Sequence, residues 1–480
     1  MLRTASLILV RNPSDPEVFW VQRSPKDRFL SHFHVFPGGR VEPSDESLGA
    51  AWSDGAERVA AIRETFEETG YLLGHSDFTD VAGREALRRE EVPFETILGG
   101  RKLPLDTLID AGQWTAPAYF VCAFTTRFYA VWVDSNEAPT VSLGDPELVH
   151  GEWIRPVDAL ARFKAGQSLM APPTQCLLRA LMDGAMATPS KFLEADEARG
   201  AAPTHGDIRP QITLYPLRTP TLPPATHTNC YVVGQKELLI IEPASPYPDE
   251  QAALDRHLAQ RVAAGARIRG VALTHHHHDH IGGVKHIVER WGGEVMAHPE
   301  TASRVPFPVQ RLLSDGDRIE LDGVTLDVFV TPGHAPGHVV YVEQETQSAI
   351  VGDMVAGVGS ILVDPEEGDM AQYIDSLDRL RSMPLSVLLP SHGPAIGGAR
   401  EKLTQYIEHR LHREQQVIDA LGMGPADIVT LVERVYVDVH PMMKTGPGGG
   451  LAGRSLRAHL DKLRHEARAV LDQNGVWTAR

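Results

Sequence analysis

Four potential metal ligands fall within six residues of this chain: His275, His277, Asp279 and His280, inside the run THHHHDHIGG from Thr274 to Gly283. Neutral imidazoles with one carboxylate suit zinc, or iron or manganese as other first-row ions. Fewer than four protein ligands per ion leaves a position for water. That is the donor set of metal-assisted hydrolysis. A second group has the opposite composition. In AERVAAIRETFEETG, Ala56 to Gly70, the acids Glu64, Glu67 and Glu68 sit at i, i+3 and i+4, one face of a helix. Acids packed together repel one another unless a cation neutralises them, and carboxylate oxygens select hard ions such as magnesium or manganese. Arg63 immediately precedes the triplet and can orient it through a bidentate pair. Upstream, Phe36-Pro37-Gly38-Gly39 supplies a tight loop able to bring backbone groups to a metal-phosphate complex.

Both groups need elements to hold them. The apolar run Ile268 to Leu273 predicts a buried strand that releases into a loop at Thr274, with alternation placing His275 and His277 on one side. Asp279 and His280 then open a helix, and Gly282-Gly283 lets it lie against neighbouring backbone. More ligands follow predicted strands. Val324 to Thr331 leads to His334 and His338, Ala349 to Gly352 to Asp353, and Val387 to Pro390 to His392. The repetition of strand, turn and ligand says more than any single histidine. In the acidic helix, Val59, Ile62 and Phe66 form an apolar stripe and Gly70 is a natural stop.

At 480 residues the chain is long enough for two to four domains, and 42% hydrophobic with 23% charged residues is ordinary globular usage. No apolar run approaches the roughly 20 residues that span a bilayer, so no membrane association is expected. The amino terminus MLRTASLILVRNP does not read as a secretory signal, and Cys122, Cys176 and Cys230 are too scattered for a disulfide framework. A cytoplasmic enzyme is expected. The net charge of -17 argues against broad binding to a phosphate backbone. Four blocks emerge. Residues 1–183 alternate strands and helices, and 184–210 mix Gly, Pro and charge as a linker. Residues 211–400 carry the strand-and-ligand repeats. Residues 401–480 turn helical, at roughly 401–421 and 452–470, and end in a hairpin signalled by Asn474-Gly475.

Residues 211–400 resemble a metallo-beta-lactamase-fold hydrolase, an αββα sandwich. The resemblance implies that His275, His277 and His334 bind a first ion and Asp279, His280 and His392 a second, with Asp353 bridging them and His338 structural; His276 and His278 match no ligand position. Two zinc ions, or iron or manganese, would lower the pKa of a water that attacks a carbonyl or phosphoryl centre, with Asp279 shuttling its proton. TPGHAPGH and LLPSHGP resemble the glyoxalase II-like branch, implying an ester or thioester substrate. The tail segments YIEHRLHREQQVIDAL, LVERVY and SLRAHLDKL resemble the winged-helix extension of a lactamase-like branch that includes a single-strand endoribonuclease, so RNA cleavage is an alternative reading.

Arg63-Glu64-Thr65-Phe66-Glu67-Glu68-Thr69-Gly70-Tyr71 resembles the core of the Nudix box, in an α/β/α sandwich over roughly the first 180 residues. Thr65 replaces an aliphatic residue and the box is interrupted after Gly39. Gln22-Arg23-Ser24-Pro25 and His34 to Gly39 are similar to the coenzyme A diphosphatase branch. This implies hydrolysis of a nucleoside diphosphate derivative. Glu64, Glu67 and Glu68 would hold magnesium or manganese or activate the attacking water, with Glu64 and Glu67 the catalytic acids, and Gly38, Gly39 and Arg63 would belong to the phosphate loop. The acid expected between Gly39 and Arg63 is Glu42 or Asp45, and Glu147 or Glu137 would complete the site. The whole is expected to be a multidomain α/β and α+β hydrolase with two chemistries. A further alternative makes the first block a ligand sensor that regulates the second.

Overall fold

A computed structural model describes residues 2–25, 30–116, 124–137, 139–141, 147–192, 205–357 and 359–480. Cys122 and the middle of the expected linker, 193–204, lie outside the described residues. The chain divides into two compact units, Met1–Thr213 and Leu214–Arg480.

In the first unit, the strands Leu2–Arg11 and Glu17–Arg23 are neighbours inside an eight-stranded mixed sheet. Leu2–Arg11 pairs in parallel with Phe124–Trp132 and antiparallel with Glu17–Arg23 and Gly38–Arg40. Their apolar residues run continuously, as strands covered on both faces require. Alternation sends Leu7, Leu9, Phe19 and Val21 into one core, against Val59, Ile62 and Phe66 of the helix Gly55–Thr69. Ile8, Val10, Val18 and Trp20 enter the other, against Leu160 and Phe163 of the helix Pro156–Lys164 and Leu178 and Leu181 of Pro172–Met182. An α/β/α sandwich results. Its acidic helix ends where Gly70 takes φ 72° and returns its N–H to Phe66 O.

The flanks of the expected linker are structured. Ala185, Met186 and Phe192 are buried in the second core of this unit, and Gly206–Arg209 is a strand. Arg209 donates to Ser168 O at 3.2 Å and Gly166 O at 3.0 Å. So few apolar residues occur in this stretch that they make no period for the sequence to reveal.

The second unit contains two sheets. One runs in the order Arg311–Leu312, Glu294–Ala297, Arg267–Ala272, Glu237–Ile241, His227–Val233, Ile212–Arg218. The other has six strands, Arg318–Leu321, Val324–Val330, Val339–Glu343, Ser348–Gly352, Val387–Pro390 and Ile396–Gly397. Polar ties join them: Tyr231 Oη donates to Pro390 O at 2.7 Å and Tyr341 Oη to Leu273 O at 2.6 Å. On the first sheet Val232, Ile240 and Val271 pack under Leu254 and Leu258 of the helix Pro248–Ala263 and Val284 and Ile287 of Val284–Trp291. On the second, Val340, Val342, Val351 and Leu388 pack under Tyr373, Leu377 and Leu380 of the helix Met370–Arg381 and Leu403 and Ile407 of Ala399–Gly422. Helices cover both outer faces, giving an αββα sandwich.

Beyond it come the helices Ile428–Val435 and Gly450–His465 and a hairpin of Ala469–Leu471 with Trp477–Ala479. Val417, Leu421, Leu431, Leu456, Leu460 and Trp477 share their core. The last helix stops at His465, short of the expected 470, because Ala467 turns to φ 58° and the Arg468 N–H closes on Leu463 O at 2.8 Å. Among the described residues no helix is long and apolar enough to cross a membrane.

Candidate active sites

In the first unit the helix Gly55–Thr69 presents its acids to the strand Gly38–Arg40. The Gly38 N–H donates to Glu68 Oε2 at 3.1 Å. A Cβ at Gly39 would overlap the Glu64 carboxylate, so this approach requires glycine. Arg63 Nε and Nη2 donate to the two oxygens of Asp45 at 3.0 Å each. Its Nη1 donates to Glu64 Oε1 at 3.0 Å and Glu67 Oε1 at 2.7 Å, and Nη2 also to Arg40 O at 2.6 Å.

This enclosure decides one open point and corrects another. Asp45, with its side chain 0% exposed, is the buried partner, whereas the Glu42 carboxylate lies 3.9 Å from Arg63 and is 41% exposed. Arg63 itself is 1% exposed, with its donors engaged by three carboxylates and a carbonyl. It orients the acids rather than contacting a phosphate, as its expected place in the phosphate loop required. Burial pushes the Glu64 carboxyl up to about 8; Arg63 opposes the rise, and Glu67 and Glu147 add to it. Burial also raises Glu67, and Glu68 well above the usual carboxylate range. Glu147 acts on both Glu64 and Glu68, while Glu137 faces Asp134, Ser76 and Tyr71 instead.

In the second unit four loops meet, each at the end of a strand. His275 and His277 follow Arg267–Ala272, and His334 follows Val324–Val330. His277 Nδ1 lies 3.0 Å from His275 Nε2 and 3.1 Å from His334 Nε2. Every other ring nitrogen in this trio has an outward partner. His275 Nδ1 meets Thr274 Oγ1 at 2.9 Å, His277 Nε2 meets Glu367 Oε1 at 2.8 Å, and His334 Nδ1 donates to Leu362 O at 2.9 Å. The Thr274 hydroxyl donates to Glu242, so it accepts from His275. These bonds keep the protons on the outer nitrogens and leave three lone pairs facing one another.

Beside them, Asp279 and His280 lie on the short helix His278–Ile281. Gly282 and Gly283 donate to Ala244 O at 3.1 Å and Pro243 O at 2.8 Å, and a Cβ at Gly283 would overlap that carbonyl. His392 Nε2 is 3.6 Å from Asp279 Oδ2 and 3.4 Å from Asp353 Oδ1. His280 Nε2 is 3.5 Å from Asp279 Oδ1 and 3.7 Å from Asp353 Oδ2. Asp353 Oδ2 is also 3.5 Å from His334 Nε2, so this carboxylate stands between the two groups. The outer nitrogens again have acceptors: His280 Nδ1 with Glu242 Oε1 at 3.0 Å, and His392 Nδ1 with His227 O at 3.0 Å. His338 lies apart, accepting from the Asp353 N–H at 3.2 Å and meeting Thr331 Oγ1 at 2.9 Å.

Charge differs between these neighbours. Burial depresses His275 well below the usual imidazole range, helped by the adjacent histidines, and brings His334 down to about 4. Burial also opposes charge on His280, but Glu242, Asp279 and Asp353 overcome it and hold this imidazole protonated. His392 and His280 in turn overcome burial to keep Asp353 ionised. His275 and His334, held low by burial, thus abut an ion-paired network.

The NUDIX domain family model matches residues 1–172, and that of the metallo-beta-lactamase superfamily matches 223–392. The lactamase-like protein vrtG of Penicillium aethiopicum is 31% identical over 239 residues, covering 48% of this chain and 73% of that protein. The chain belongs to the metallo-beta-lactamase superfamily and carries a NUDIX domain. An atrochrysone carboxyl ACP thioesterase of Aspergillus chevalieri is 31% identical over 221 residues, 44% of this chain and 68% of that protein. A beta-lactamase domain protein from Burkholderia ambifaria has the same fold, with a TM-score of 0.52 at 20% identity, covering 57% of this chain and 93% of that one. Proteins of these two families generally use divalent metals, and this protein is a hydrolase.

The residues of the metallo-beta-lactamase domain fit such ions. Ligands on one tetrahedral ion with bonds of about 2.0–2.1 Å stand ~3.3 Å apart. The separations above bracket that value. Buried His280 Nε2 and Asp353 Oδ1 have no hydrogen-bond partner, a costly state unless something else occupies them. Carboxylate oxygens suit a hard cation by donor type, and burial raises the carboxyls of Glu64, Glu67 and Glu68, a cost that a cation beside them would offset. Sequence reasoning missed Glu242, Thr274 and Glu367, which orient the rings. An acid closing the apolar run LLII signals Glu242; nothing local signals Glu367.

Proposed function

We propose that the metallo-beta-lactamase domain is a dinuclear thioesterase and the NUDIX domain a pyrophosphohydrolase, both acting on coenzyme A-type thioesters. The observation that carries this is the grouping of ring nitrogens and carboxylates about two centres, with Asp353 between them. His275, His277 and His334 would hold one ion and Asp279, His280 and His392 the other, zinc by donor type. Such ions supply the Lewis acidity that activates a water and polarises a carbonyl oxygen. Asp279, oriented by His280 and His392, takes the proton of the attacking water and passes it to the departing sulfur as the carbon–sulfur bond breaks. The thioesterase name of one relative supports a thioester over other acyl groups.

In the NUDIX domain Glu64, Glu67 and Glu68 would hold magnesium or manganese, with Arg63 fixing the rotamers of the first two. A coenzyme A thioester contains both a pyrophosphate and a thioester, so one substrate class serves both sites. We assign 1–183 to the NUDIX domain, 211–400 to the metallohydrolase and 401–480 to a winged-helix-like domain, on its helices followed by a hairpin.

The test is a panel of acyl-coenzyme A species, nucleoside diphosphate derivatives and a labelled single-stranded RNA, run on wild type, Glu67→Ala and His277→Ala with metal content measured. Release of the acyl acid should vanish only in His277→Ala, and release of phosphopantetheine product only in Glu67→Ala. If wild type breaks neither bond in any thioester, the proposal is wrong. RNA cleavage lost in Asp279→Ala would replace the thioesterase with a nuclease.

A further inference from the structure

The helices after residue 399 do more than follow the metallohydrolase sandwich. The helix Ala399–Gly422 buries Leu403 and Ile407 in the core of the sandwich and Val417 and Leu421 in that of the tail, so one rigid rod belongs to both. Gly450–His465 does the same, with Ala458 in the first core and Leu456, Leu460 and Leu463 in the second. The residues 354–357 and 359–369 lead from the Asp353 ligand position to the helix Met370–Arg381, with Met354, Val355, Ala356, Ile361 and Val363 in the core of the sandwich.

Three side chains from the tail grip that segment. Tyr406 Oη accepts from the Ala356 N–H at 2.9 Å and donates to Ala356 O at 3.2 Å. Arg410, 3% exposed, donates to Ile361 O while its guanidinium lies 5.3 Å from the Tyr373 ring. The next carbonyl along, Leu362 O, is the acceptor for His334 Nδ1. Arg454 pairs with Asp364, whose side chain is 11% exposed. Asp364 O accepts from the N–H groups of Glu367 and Gly368, and its Oδ1 accepts from Glu366 N at 3.1 Å. That closed turn presents Glu367, whose two oxygens meet His276 Nε2 at 2.9 Å and His277 Nε2 at 2.8 Å.

The Arg410 and Arg454 grips therefore each lie one step from an imidazole of the trio, whereas Tyr406 holds Ala356, whose neighbour Gly357 donates to His392 O at 2.7 Å. The orienting partners of Asp279, His280 and His392 come from elsewhere: Glu242 and His227 O belong to the first sheet and its loops. We propose that two arginines of the tail form a positioning clamp for one metal centre. Arg410 and Arg454 act as positioning residues that, through Leu362 O and the Asp364–Glu367 turn, set the tautomer and direction of His334 and His277. His276 then has a role without being a ligand: it holds the second oxygen of Glu367, so that the first is aimed at His277. This rests on the two-ion reading above.

The full chain, stripped and titrated with cobalt(II) in place of zinc against a competing chelator, tests it, with His277→Ala identifying the step that belongs to the trio. Wild type should bind two ions in the second unit; if it binds fewer, the two-ion reading itself fails, whatever the variants do. Arg454→Ala and Glu367→Gln should each weaken the trio step by about 10–100-fold and leave the Asp279, His280 and His392 step within about twofold. Arg454→Lys, which keeps a charge against Asp364, should restore most of the loss. Equal weakening of both steps, or unchanged affinity in Arg454→Ala and Glu367→Gln alike, would overturn the clamp and leave the tail a general packing element.

Discussion

The two sites solve one problem, holding a divalent cation, with opposite materials and opposite ranges of contact. In the NUDIX domain Glu64, Glu67, Glu68 and Arg63 come from one helix turn and a half, and the partners Gly38, Arg40 and Asp45 lie within 25 residues upstream of Arg63. In the metallohydrolase domain the ring nitrogens and carboxylates come from four loops between His275 and His392, with the orienting Glu242 upstream of that span and Glu367 within it. A site on one helix inherits its geometry from the helix period. A site assembled from loops inherits it from two sheets, and needs hydrogen bonds behind each ligand to aim it. The chemical consequence is a difference in electrostatics: carboxyls raised by burial in one, and His275 and His334 held low by burial beside an ion-paired network in the other.

Independence of the two is the first thing to break. His277→Ala removes the nitrogen shared by both short contacts in the trio, and thioester hydrolysis should fall to background while pyrophosphate hydrolysis stays at the wild-type rate. Loss of both would mean that the sites are coupled. Glu67→Ala should lower pyrophosphate hydrolysis by about 10²–10⁴-fold, the usual range for a positioned acid or base, with thioester hydrolysis unchanged. A fall of less than tenfold would assign the chemistry to Glu64 or Glu68.

Protons should then separate the two sites. Glu64 sits at about 8 without a cation and burial raises Glu67 and Glu68 as well, so on acidification magnesium must displace protons, and affinity should drop by about tenfold per pH unit for each proton displaced. In the trio His334 is held down at about 4, so the ion there should meet no proton competition from it between pH 8 and pH 5. Isothermal titration at several pH values reads both slopes; parallel slopes would erase the distinction. The smallest effect is expected at Glu242→Gln, where the oxygen facing His280 Nδ1 remains but its charge is lost. Affinity at the Asp279, His280 and His392 step should fall by about 10-fold, within the range for partners behind a ligand, and the trio should move less.

How much of this was legible follows the same division. The Nudix-like helix was readable to its last residue, because 3.6-residue periodicity, the Arg63 neighbour and the Gly70 stop are all local signals. The choice of Asp45 over Glu42 was not, since both precede the helix and only burial separates them. Met186 and Phe192 looked like linker because a lone apolar residue carries no period; what makes each of them core is the sheet face beneath it. His338 and His276, flanking the ligands in sequence, differ from them only in where their nitrogens point.

By itself the sequence determined the two folds, through motifs that resemble those of two families, and the identity of the donor types, since imidazole and carboxylate chemistry does not depend on context. The tertiary structure alone decided which nitrogen of each ring faces inward, which acid pairs with Arg63, and that a tail some 50 to 90 residues downstream of the segment grips the loop behind His334 and His277. The reason is physical. A donor's type is covalent, whereas its direction is set by whatever hydrogen bond forms behind it, and those partners are brought near only when the sheets, helices and loops have closed.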